Sequence, residues 1–81
     1  MILVDVYVPV LDSKYDFELD EETKAGALIG EVISLIEQKE KLKLKFSGMG
    51  EFYDLERERM LKQNENLIQQ GVNSGDRLIL V

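Results

Sequence analysis

The sequence has no cysteine and no histidine, and only one proline among its 81 residues. The first two absences exclude thiol nucleophiles, disulfide staples, imidazole acid–base catalysis and zinc sites built from those ligands. A secreted domain this small normally needs staples, so the chain is expected in a reducing cytoplasm. No apolar run approaches the roughly 20 residues of a membrane span. Met1-Ile2-Leu3-Val4-Asp5 carries no basic stretch of the kind that opens a signal peptide. Positive charge is scarce too: 16 acidic side chains stand against 10 basic ones, a net charge of −6. That balance argues against binding nucleic acid, whose phosphates call for a cationic face, and against docking on anionic lipid.

What is present is one small domain, residues 1–81, with a thin core. A chain of this length buries only about 60% of the surface its unfolded state exposes, so strong apolar positions are read first as core. The charge is unevenly spread. Residues 1–38 hold nine acids against Lys14 and Lys24, a net of −7, and residues 39–81 hold seven acids and eight bases, a net of +1. The plain reading is variation along a solvated surface. The functional one is an acidic face that selects a basic partner.

Residues 2–11 alternate with period two, placing Ile2, Val4, Val6, Val8 and Val10 on one face and Leu3, Asp5, Tyr7, Pro9 and Leu11 on the other. Pro9 lacks an N–H, so the ladder must break, bulge or face an edge there. After Asp12-Ser13-Lys14, Tyr15, Phe17 and Leu19 alternate with Asp16 and Glu18, and the two runs read as a β-hairpin. The period then changes. Thr23 is the predicted N-cap of an amphipathic helix running to roughly Lys39, whose apolar residues Ala25, Leu28, Ile29, Val32, Ile33, Leu35 and Ile36 fall mostly on one face. Gly26 and Gly30 read as tolerated surface glycines, and Ile33 as a partly exposed apolar residue. Lys41-Leu42-Lys43-Leu44-Lys45-Phe46 fits either a strand or an extended connector, and Ser47-Gly48-Met49-Gly50 breaks it. Phe52–Leu55 and Met60–Leu61 read as short strands joined by the charged reversal Glu56-Arg57-Glu58-Arg59. A polar stretch and the turn Asn73-Ser74-Gly75-Asp76 lead to a terminal strand, Arg77–Val81.

A hairpin, a helix, short strands and a last strand returning beside the first make an α+β fold of the β-grasp type. It has a mixed sheet of four to five strands with one main helix across one face, and the first and last strands parallel at its centre. In that order of elements the chain resembles ubiquitin over nearly its whole length. Leu61, Leu67 and Val72 follow the spacing by which ubiquitin's late loop and short helix are pinned to the core. The segment Gly71-Val72-Asn73-Ser74-Gly75-Asp76-Arg77-Leu78 is similar to the ending of the bacterial YukD/EsaB-type ubiquitin-like proteins encoded with WXG100 (ESX, type VII) secretion systems. Ser74 stands where that family has an asparagine.

The resemblance implies a non-conjugated protein that acts by contact. Ubiquitin and the sulfur carriers of this fold work through a flexible tail ending in Gly-Gly, whereas Leu80-Val81 closes this sequence within a predicted strand. A truncated modifier or sulfur carrier is accordingly the less favoured reading. Catalysis has little support: Asp20-Glu21-Glu22 is expected to be a hydrated helix start with no buried, raised carboxyl, and no serine has a histidine to activate it. No metal site and no cofactor are expected.

Binding remains. The sheet face turned away from the helix is expected to display Leu3, Tyr7, Leu11, Tyr53, Ile79 and Val81, with Asp5 as a rim charge, unless the Leu42–Phe46 connector covers it. Aromatic and aliphatic residues of this kind suit a hot-spot cluster. The function that follows is an accessory or regulatory component of a type VII secretion system. Its expected partner is the membrane-embedded secretion machinery, met from the cytoplasm. The alternative is a generic ubiquitin-like adaptor of another assembly, or a self-associating module that forms a homodimer.

Overall fold

Strand β1 (Ile2–Val8) and strand β2 (Ser13–Leu19) pair antiparallel from Ile2↔Leu19 to Val8↔Ser13 in the computed structural model, which describes residues 1–45 and 50–81. β1 is shorter than predicted. Pro9, with no N–H for the ladder, opens a 3-10 turn over Pro9–Leu11, closed by the Asp12 amide on the Pro9 carbonyl at 3.0 Å. The turn resets the alternation. Val10, expected inside, is 60% exposed, and Leu11, expected on the outer sheet face, packs against the core.

The helix α1 (Ala25–Glu40) buries Ala25, Leu28, Ile29, Val32 and Ile36, the stripe its periodicity marks. Thr23 does not cap it. The N-cap position falls on Lys24, without a side-chain bond, and the first amides are met by backbone: Ala25 N–H donates to the Glu65 carbonyl at 2.9 Å, and Gly26 N–H to that of Gln63 at 3.0 Å. The Thr23 hydroxyl instead donates to Asp20 Oδ2 at 3.0 Å. Gly26 is no idle surface glycine either. A Cβ there would stand 3.1 Å from the Gln63 carbonyl oxygen, so its missing side chain admits the loop that satisfies the helix end. Gly30 has open space around it, as expected, and Ile33 is partly buried against the core.

The helix ends at Lys41, whose φ of 56° lets its amide turn back to the Glu37 carbonyl. Residues 41–45 form no strand, so the connector reading holds for them. The predicted break reaches into residues 46–49, outside the described residues. Leu44 packs against the core, its amide held by Glu37 Oε2 at 2.8 Å, and so does not lie over the open sheet face; Phe46 of the same connector is outside the described residues.

Three further strands complete the sheet: β3 (Phe52–Asp54), β4 (Arg59–Met60) and β5 (Arg77–Leu80), in the order β2-β1-β5-β3-β4, with β1 and β5 parallel. β4 starts one residue earlier than predicted, and Leu61 passes from the strand into the core. Val4, Val6, Val8, Leu19, Phe52, Leu78 and Leu80 meet the helix stripe in one cluster, joined by Leu61, Leu67 and Val72. The polar stretch before β5 is organised by Gln70. Its buried amide donates to the Lys62 carbonyl at 2.9 Å and accepts from the Lys62 amide, so the loop's backbone is satisfied without a helix. The architecture is an α+β β-grasp.

Candidate functional site

The face of the sheet opposite α1 is organised by register. Tyr7 pairs with Lys14 across β2 and with Ile79 across β5; Ile79 pairs with Tyr53 on β3, and Tyr53 with Met60 on β4. Paired residues point to the same side, so Lys14, Tyr7, Ile79, Tyr53 and Met60 form one row across all five strands. Four of the five are large and apolar or aromatic. A parallel row of charge lies one step along: Asp16, Asp5 and Arg77 share a register line. Arg77 is drawn to Glu56, Nε to Oε2 at 3.1 Å, and that carboxylate holds its guanidinium pKa above the ordinary value. Between the rows a hollow of about 260 Å³ opens among Asp5, Tyr7, Lys14, Leu55 and Arg77.

Of the six predicted face residues, the structure brings Tyr7, Ile79 and Tyr53 together in the apolar row. Val81, 45% exposed, lies beyond Ile79 on the same side, with its backbone paired to Glu51 at 2.8 and 2.9 Å. Leu3, 48% exposed, shares the face but is set apart from the row by Asp5. Leu11 does not belong to it, having been turned into the core by the 3-10 segment. Sequence reasoning missed Met60, Lys14 and Leu55. Met60 is 40% exposed and ends the row, but its two-residue strand has no readable alternation, and only the β3–β4 register places it.

Tyr7 is fixed at one end of the row. Its hydroxyl donates to Asp12 Oδ1 at 2.8 Å, and this bond to the carboxylate raises the phenol pKa above its usual value. At the other end, the turn between β3 and β4 is held by the fully buried Asp54, which accepts from the Glu56 amide at 3.0 Å and from Arg57 Nη1 at 3.2 Å. The same Nη1 donates to Asp76 Oδ2 at 2.9 Å, tying that turn to the entry of β5. Asp20 and Glu21 show the opposite of what a general acid needs. Asp20 accepts from the Glu22 amide and the Thr23 hydroxyl, and these bonds hold its carboxyl below the ordinary range. No helix among the described residues is long and apolar enough to cross a membrane.

No protein-family model matches the sequence, and no curated protein sequence does. Solved structures do. The EccD5 ubiquitin-like domain from Mycobacterium xenopi superposes with a TM-score of 0.76 at 22% identity, covering 99% of this chain and 91% of that one. The ubiquitin-like domain of the Mycobacterium tuberculosis type VII secretion system protein EccD1 gives 0.74 at 18% identity, covering 100% and 99%. A chain of the MycP5-free ESX-5 inner membrane complex in State II gives 0.77 at 19% identity, covering 99% of this chain but 20% of that one. With its five-stranded mixed sheet and single long helix, the chain has the ubiquitin-like β-grasp fold, resembling the ubiquitin-like domains of type VII secretion components.

Proposed function

We propose that the protein is an accessory or regulatory component of a type VII (WXG100/ESX) secretion system. In this reading it is of the YukD/EsaB type, works from the cytoplasm and acts by binding rather than by catalysis or conjugation. The observation that carries the reading is the Tyr7–Ile79–Tyr53–Met60 row, an apolar band across four strands with charge on one flank. The likeness to domains of EccD proteins and to a chain of an ESX-5 inner membrane complex supports secretion machinery as the partner. A central aromatic–aliphatic cluster edged by ionic groups is what a protein hot spot requires. Asp5, Asp16, Lys14 and Arg77 set its orientation.

The test is recovery of secretion membrane components from solubilised membranes of the source organism, using tagged wild type, Ile79→Asp and Leu3→Asp. Both variants are first shown folded by their amide NMR spectra. Wild type and Leu3→Asp are expected to recover the components, and Ile79→Asp to lose them by tenfold or more, as for an anchor worth about 2 kcal/mol. Equal recovery by all three removes the row from the interface. Failure of wild type to recover any secretion component favours a ubiquitin-like adaptor of another assembly.

A further inference from the structure

A second surface lies on the far side of the sheet from that row, at its β2 edge. Among the described residues β2 pairs with β1 alone, so its outer edge is unpaired. The hydrogen bonds of β1 show which groups are free. The Asp5 amide donates to Asp76 at 3.0 Å and the Leu3 carbonyl accepts from Gly75 at 2.7 Å, so the backbone of Leu3 and Asp5 faces β5. Val4, Val6 and Val8 therefore face β2, where their partners are Phe17, Tyr15 and Ser13. By the same alternation the N–H and C=O groups of Lys14, Asp16 and Glu18 point outward, three consecutive rungs with no strand to receive them.

Beneath this edge, between β2 and α1, runs a groove of about 380 Å³ lined by Tyr15, Phe17, Leu35, Ile36 and Lys39. Leu35 is 51% exposed on its wall, and the Tyr15 and Phe17 rings lie 6.1 Å apart along its floor. Lys39 Nζ sits 5.4 Å from the Tyr15 ring centroid and closes one end. An added strand would thus meet main-chain rungs along its length. It would find apolar seats about 7 Å apart on its helix side, the spacing of residues i and i+2, and the Asp16 and Glu18 carboxylates on its other side.

We propose that this edge and groove accept, by strand addition, an extended segment of a partner protein in which apolar residues alternate with basic ones. Charge chooses the occupant. Both carboxylates belong to the half of the chain with a net of −7 and outnumber Lys14 on the same side of β2, which favours a cationic strand. A second copy is disfavoured by the same charge: antiparallel self-pairing of the seven β2 residues gains Lys14 opposite Glu18 on either side, but it sets Asp16 opposite Asp16 at the centre and brings together two chains of net −6. The site shares Lys14 and Asp16 with the charged flank of the open face but none of Tyr7, Ile79, Tyr53 and Met60, so the two are tested apart at Ile79.

The probe is an end-blocked hexapeptide of alternating lysine and valine, titrated into isotope-labelled protein. Saturable shifts are expected at the Lys14, Asp16 and Glu18 amides and the Leu35 methyls, with slowed hydrogen exchange at those three amides. Methylating the peptide nitrogens that face β2 abolishes binding, and Asp16→Lys with Glu18→Lys, both at exposed positions, weakens it about tenfold. Ile79→Asp leaves it unchanged, which separates this site from the row. Shifts centred on Tyr7, Tyr53 and Ile79 would overturn the proposal, as would binding indifferent to N-methylation, which would be charge attraction alone. No response at millimolar peptide would reduce Lys14, Asp16 and Glu18 to edge protection. A dimer in sedimentation that Asp16→Lys strengthens would make the occupant a second copy.

Discussion

Replacing Asp54 tests the device that aligns the open face. Its side chain is fully buried and its carboxylate receives the Glu56 amide at 3.0 Å, the Arg57 amide at 3.3 Å and Arg57 Nη1 at 3.2 Å. Hydrogen bonds to a charged group contribute about 1.5–3 kcal/mol each, and two of these three are long. Arg57 is 30% exposed and keeps Asp76 when Asp54 is removed, so the expected loss for Asp54→Ala is that of a buried acceptor's hydrogen bonds, about 2–4 kcal/mol. Asp54→Asn keeps an oxygen for the two backbone amides and loses the ionic contact, so about 1–2 kcal/mol is expected. In a domain of this size 1 kcal/mol moves the melting temperature by about 4–8 °C, so the alanine variant should melt about 8–30 °C below wild type. Urea unfolding followed by far-UV circular dichroism, with thermal melts, measures both. Arg57→Ala closes the cycle: with Arg57 absent, Asp54→Ala should cost about 1–3 kcal/mol less than it does alone. A loss below about 1 kcal/mol for Asp54→Ala would refute the reasoning. Equal losses for the alanine and asparagine variants would assign the stability to the ionic contact with Arg57 rather than to the two backbone amides, which asparagine still receives.

The two helix glycines should separate. Gly30→Ala fills open space on an exposed helix face and is expected to raise unfolding free energy by about 0.5–1 kcal/mol. Gly26→Ala, with its Cβ 3.1 Å from the Gln63 carbonyl oxygen, should give no gain in the same urea experiment; an equal gain would show that the loop yields freely. Acid should weaken the start of α1 through Asp20. Its folded carboxyl pKa lies below the unfolded value, so its stabilisation is complete above pH about 4 and is lost as the pH falls through the depressed folded value. Asp20→Asn should flatten the stability–pH curve in that acid range, and an unaltered slope would contradict the cause assigned to the shift.

Much of this fold is legible along the chain because its strands and helix keep their periods over many residues. The alternating valines of β1 and the three- and four-residue steps of α1 mark the two faces of the core directly. The misreadings share a cause, which is a local rule settled by a distant partner. Thr23 has the chemistry of a cap, but the helix amides are taken by carbonyls of Glu65 and Gln63 some forty residues away. Gly26 reads as surface because nothing near it in sequence explains it. The reversal at Val10 and Leu11 is the exception: Pro9 announced a break there, and the 3-10 turn that follows shifts side-chain parity by one.

The sequence by itself determined the acidic charge, the absence of thiol and imidazole chemistry, the inward faces of β1 and α1, and the order of elements that makes a β-grasp. These follow from composition and from periods of two and 3.6 residues, which are properties of short stretches. The tertiary structure alone decided which outward residues stand in one row, since that depends on strand order and register rather than on any one strand's pattern. It placed Met60 beside Tyr53 and Tyr7 beside Ile79, though the members of the second pair lie seventy-two positions apart. It also decided which strand is left with an open edge, because only the arrangement of all five strands leaves the outward backbone of Lys14, Asp16 and Glu18 unmatched.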